Sequence, residues 1–156
     1  MNSLMTEQGD ILRATDGLRA GLLDALTDAD LRFGLPGNPT LGELFREQAE
    51  VERAYADGFK TFRQAFEHGQ SDSALATSVG ALKAYFAALD AERNAALEAL
   101  SEDDLQSRPV DRGWPAPVSL NLAFYVQAVL IFFGKATIYY RAMSKPLPKD
   151  WKAWTG

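Results

Sequence analysis

The side chains that could do chemistry are few. The chain has 156 residues, one histidine (His68) and no cysteine. That composition excludes a cysteine nucleophile, a thiolate metal site, a disulfide framework, and any serine triad that does not use His68. It also excludes a metal centre built from two or more histidines. The acidic candidates are Glu47, which with Gln48 interrupts the apolar stripe Leu44–Val51–Tyr55, and Glu50. The basic candidates are Arg93, set in an apolar seam, and Lys135. One carboxylate lacks the second positioned group that general acid–base catalysis usually needs. The expectation is therefore that Glu47, with Glu50 beside it, pairs with Lys135 or Arg93, because an unpartnered buried carboxylate is strongly disfavoured. Tyr125, Tyr139 and Tyr140 read as core or interface aromatics with satisfied hydroxyls.

Four long segments with helical periodicity have to position these groups. They run over about 6–26, 40–66, 74–100 and 118–143, followed by a tail over 145–156. Thr40 and Glu43 form a capping box at the second start, and Pro146 and Pro148 bar continuation of the fourth. No stretch alternates convincingly as a strand. If the second helix continues to Phe66, His68 stands about 30 Å along its axis from Glu47. Ala25-Leu26-Thr27-Asp28-Ala29-Asp30-Leu31 is echoed by Ala99-Leu100-Ser101-Glu102-Asp103-Asp104-Leu105. In each copy Thr or Ser caps a short turn, and a Pro/Gly-rich loop leads to the next long helix. Two helix–loop–helix units make a single all-α domain, a four-helix bundle with longer crossover loops.

Charge and hydropathy narrow the partners. Residues 1–106 carry 19 acids and 9 bases, whereas residues 107–156 carry 2 acids and 7 bases. The acidic total and the lack of a basic stripe argue against nucleic acid. Leu120 to Ile138 is almost wholly apolar, which raises the question of a membrane span of about 20 residues. Gln127 and Lys135 are costly in lipid, so a helix buried in a bundle and paired with a second copy fits better. The sequence thus reads as that of a homodimer through the fourth helix and its neighbours, with no membrane partner. The first residues carry no secretory pattern, which makes the cytoplasm the expected compartment. No nucleotide-binding motif occurs, and no cofactor is expected.

Thr40-Leu41-Gly42-Glu43-Leu44-Phe45 with Glu50-Val51-Glu52, then Leu100-Ser101-Glu102-Asp103-Asp104-Leu105, then Phe133-Gly134-Lys135 leading into Tyr139-Tyr140-Arg141-Ala142-Met143 and Pro146-Leu147-Pro148, occur in this order. The combination resembles the DinB/YfiT-like superfamily of bacterial four-helix bundles over nearly the whole chain. The resemblance implies a divalent metal held by three histidines, one on the second helix and two, four apart, on the fourth. Such a pair shares a helix face, and a third imidazole leaves open positions for water or substrate. Carried onto this chain, those positions fall on Glu47, Ala128 and Phe132, none a histidine. The resemblance then implies a degenerate metal site in a stress- or damage-associated binding or scaffold protein. A rival reading is a metal-dependent transferase or hydrolase-like enzyme using carboxylates around Glu47 and Glu50. A third is an apolar small-molecule binder, with an apolar pocket around Phe132 and Trp114 as its lid. Gln48, Glu50, Arg93 and Lys135 form a separate candidate polar pocket.

Overall fold

The structure is a computed structural model that describes residues 2–151. Four long helices form the bundle: α1 (Ser3–Asp24), α2 (Leu41–Thr61), α3 (Val79–Ala99) and, after a short α4 (Glu102–Ser107), α5 (Val118–Ala142). Helix α2 packs on both α3 and α5, and α1 packs on the same two helices. Leu12, Leu22, Phe45, Phe59, Leu82, Leu97, Leu122 and Val129 from all four make one continuous apolar core. The all-α expectation holds, with one small addition. Val110–Asp111 (β1) and Pro115–Ala116 (β2) pair as an antiparallel hairpin, too short to show alternation in the sequence.

Caps explain most boundaries. The Thr40 hydroxyl accepts from the Glu43 N–H while the Glu43 carboxylate accepts from the Thr40 N–H, closing the expected box. Ser101 and Asp104 form a second box at the start of α4. In the echoed segment, Thr27 and Asp30 exchange equivalent bonds ahead of the 3₁₀ turn Asp30–Arg32. The two copies share capping chemistry, although one opens an α-helix and the other only a 3₁₀ turn. Helix α1 begins earlier than periodicity suggested because Asn2 caps it. The Asn2 Oδ1 accepts from the Met5 N–H, and its Nδ2 donates to the carbonyls of Leu97 and Leu100.

Two expected boundaries are corrected. Helix α2 stops at Thr61 rather than Phe66, because Phe62 adopts the left-handed conformation at φ 59°. The chain then reverses beside β1: the Gln64 N–H donates to the Asp111 carbonyl, and the Asp111 N–H donates to the Phe62 carbonyl. The third helical segment is also split, with a 3₁₀ turn over Ser73–Ala76 and the Ser78 side chain capping α3 afresh. Gly42 allows that turn to lie against α2, since a Cβ there would overlap the Ala76 carbonyl.

Val118–Ala142 is long and apolar enough to cross a membrane by length and composition. One side of it is nevertheless a core face, where Leu122, Tyr125, Val129, Phe132, Ala136 and Tyr140 are buried among the other helices. In the tail, Trp151 folds back onto the bundle. Its ring sits edge-on to Phe133 at 4.6 Å, and its indole N–H donates to the Leu18 carbonyl. Lys152 and Trp154 lie outside the described residues.

Candidate functional site

Glu47, Ala128 and Phe132 do come together. With Leu44, Gln48, Val51, Ile131 and Lys135 they line a groove of about 210 Å³ where α2 meets α5. A neighbouring groove of about 420 Å³ continues past Glu47 and Lys135 to Leu35, Pro39, Ile138 and Tyr139. The three positions do not make a donor set for a metal ion. Ala128 has no ligating atom. The Phe132 ring is buried, edge-on to Phe45 at 4.9 Å, and fills the space where a second imidazole would project. Glu47 alone remains. Among the described residues, no group of three or more His, Asp or Glu side chains could hold a metal ion.

The expected pairing of Glu47 is corrected as well. Glu47 and Lys135 line the same grooves, but both are exposed and neither forms an ion pair among the described residues. Burial raises the phenol of Tyr139, and the nearby charges of Glu47 and Glu43 raise it further. Arg93 does not pair with Glu47, being committed to Asp16, Asp90 and the Tyr125 hydroxyl. Glu50 is equally committed. It accepts from the N–H groups of Gly69 and Ser71 and from the Ser71 hydroxyl, while Arg46 holds the same loop by Ser71. Glu47 and Glu50 therefore do not converge as a catalytic pair. His68 moves in the opposite direction from the expectation. Because the chain reverses after Thr61, His68 lines an open groove with Glu43, Arg46, Glu47 and Glu50 instead of standing a helix length away.

The polar centre of the bundle lies one helical turn farther along α2. Arg19 of α1, 1% exposed, donates through Nη1 to Glu52 of α2 at 2.7 Å and through Nη2 to Asp90 of α3 at 2.6 Å. Arg93 of α3 donates to Asp16 of α1 at 2.7 Å and to the Tyr125 hydroxyl of α5. That hydroxyl donates to Glu52 at 2.9 Å, and Gln48 donates to the other Glu52 oxygen at 2.9 Å. Arg19 also lies over the Phe86 ring, 4.3 Å from its centre. All four long helices thus contribute to one hydrogen-bonded network.

Burial works against the charge on Arg19, but Glu52, Tyr125, Asp90 and Asp16 outweigh it and raise its pKa. Burial likewise opposes charge on Arg93, and Asp16 and Tyr125 again reverse the balance. Burial pushes the Asp90 carboxyl up, and Asp16 adds to that push against the pull of Arg19 and Arg93. Burial and Glu52 drive the Tyr125 phenol well above its ordinary value. A buried network of this kind holds helices in one arrangement only when every member is satisfied. Its guanidinium groups stay cationic and its phenol stays protonated.

Of the site residues read from sequence, Gln48 is buried and reaches the network through Glu52, and Arg93 belongs to it outright. Arg19, Glu52, Asp16 and Asp90 were missed. Their signal was available: Arg19 and Glu52 fall at helical spacing among core residues, beside Leu22 and Tyr55, as Arg93 does beside Leu89 and Leu97. Trp114 is half exposed at the hairpin tip, where its ring stands edge-on to Phe124 of α5 at 6.3 Å. Tyr125, Tyr139 and Tyr140 have the satisfied hydroxyls expected of them. Tyr139 donates to the Pro39 carbonyl and Tyr140 to the Leu22 carbonyl.

Comparison with curated proteins and with solved structures returned no match. The sequence profile of the DinB superfamily matches residues 12–132, from the first helix through Phe132. The chain belongs to the DinB superfamily.

Proposed function

We propose that this chain is a metal-free, homodimeric binding protein of its superfamily, in which a second copy covers the outer face of α5. The observation that carries this reading is the stripe on that face. Leu120, Gln127, Ile131 and Ile138 recur at helical spacing, with Leu130 and Gly134 beside them. Ile131 and Ile138 are 61% and 58% exposed, values far from those of the core positions on the same helix. The stripe from Leu120 to Ile138 is about 27 Å long by helical rise. Nothing occupies the space above Gly134, which leaves room for close helix approach.

Charge complementarity favours a second copy over an unrelated partner. Lys135 and Glu47 flank the stripe on one side and form no ion pair among the described residues. An isologous two-fold contact brings each copy's Lys135 toward the other copy's Glu47. The absence of metal ligands at Ala128 and Phe132 supports a binding or scaffold role over divalent-metal catalysis. A stress-associated role and a cytoplasmic location belong to the same reading, through membership of the family.

Sedimentation velocity at micromolar concentration tests the pairing. Wild-type protein is expected to sediment as a dimer and Ile131→Lys as a folded monomer. A monomeric wild type overturns the proposal, as does an Ile131→Lys variant that still dimerises.

A further inference from the structure

Three buried side-chain polar atoms lack a hydrogen-bond partner among the described residues: both amide atoms of Gln64, and Nδ2 of Asn121. Both residues lie against the hairpin around Arg112. An unpaired buried donor is costly, so each of these positions calls for a water or ligand group. Asn121 is fully buried (0% exposed) in the first turn of α5, and its Oδ1 accepts from Arg112 Nη1 at 3.1 Å. That is the only hydrogen bond the Arg112 side chain makes within the described chain, and it forms no ion pair there. A guanidinium has five N–H donors in a planar fork suited to a carboxylate.

The surroundings of Arg112 are aromatic. Its guanidinium carbon lies 5.0 Å from the centre of the Phe124 ring, 5.6 Å from Trp114, 5.7 Å from Tyr55 and 6.0 Å from Phe66. Cation–π contacts of this kind hold the group in place without neutralising its charge. Trp114 and Phe66 are 46% and 42% exposed, so the cluster opens to solvent. Gly113, at φ 90°, forms the tip of the hairpin, and its N–H donates to the Asp111 side chain. The short hairpin therefore presents one unpaired cation and one flat apolar ring side by side.

We propose that Arg112, held from beneath by Asn121, binds the carboxylate of a small monoanion whose apolar or aromatic body lies on Trp114 and Phe66. The Arg112 fork supplies the charge-assisted bonds, and Asn121 Oδ1 holds that fork in place. The rings select a body that stacks. The site lies at the hairpin, by the Leu120 end of α5 and away from Ile131 and Ile138.

Isothermal titration at neutral pH and low salt, with phenylacetate as probe and phenylacetamide as its uncharged counterpart, tests the assignment. Phenylacetate is expected to bind saturably, and phenylacetamide at least tenfold more weakly. Arg112→Gln is expected to lose at least tenfold in affinity for phenylacetate while keeping the wild-type circular dichroism spectrum. Trp114→Ala, a change at an exposed ring, is expected to weaken binding several-fold and serves should the first variant misfold. Equal binding of the acid and the amide, undiminished binding by either variant, or no saturable binding by the wild type at millimolar probe overturns the proposal.

Discussion

The Arg19 guanidinium bonds the Glu52 carboxylate at 2.7 Å with both side chains 1% exposed, joining α1 to α2 in the middle of the core. Around this pair the four helices share protons and charges that are fully committed to one another.

Breaking that pair leaves a buried charge uncompensated. Glu52→Ala strips partners from Arg19, Gln48 and the Tyr125 hydroxyl at once. The expected loss is about 3–5 kcal/mol, as for other buried pairs cut on one side. Urea unfolding followed by circular dichroism checks it, and a loss under 1 kcal/mol contradicts a structural role for the network.

Glu50 gives the stability a pH dependence of known sign. Burial alone would raise its pKa, but bonds from the Ser71 hydroxyl and the Gly69 and Ser71 N–H groups, with the charge of Arg46, bring it below 4.5. The native state therefore holds its proton less tightly than the unfolded chain. The stabilisation is present above pH 4.5 and is lost as the pH falls through the native value. Glu50→Gln is expected to flatten the stability profile in that acid range and to speed amide hydrogen exchange at Gly69 and Ser71. An unchanged profile contradicts the assignment.

Gly42 is required by a close approach rather than by backbone conformation. A Cβ there overlaps the Ala76 carbonyl, which is backbone and cannot rotate aside. Gly42→Ala is expected to cost about 1–3 kcal/mol, in the range of overpacked cores, despite alanine's better helix propensity. Thermal melts report it directly, and a neutral or stabilising effect shows that the Ser73–Ala76 turn can move away.

Much of the fold was legible in the sequence because long amphipathic helices announce themselves by period and by caps. The Thr40 and Ser101 boxes and the Pro146–Pro148 exit are local signals, and the structure keeps them. The reversal at Phe62 is not local. Nothing in Thr61-Phe62-Arg63-Gln64 marks a left-handed residue, and the turn is held by pairing with Asp111, far along the chain. That one boundary moved His68 from the far end of a helix to the rim beside Glu47. The network was only partly readable for a similar reason. A charged residue in an apolar stripe shows that a buried partner is needed, but not which helix supplies it. Arg93 was recognised in that way, and its partner proved to be Asp16 rather than Glu47.

Native mass spectrometry of protein purified without chelator tests the central claim most directly, because one spectrum reports both assembly and bound metal. The account predicts a single dominant species with the mass of two metal-free chains. A dominant monomer, or a species carrying one divalent ion per chain, contradicts it.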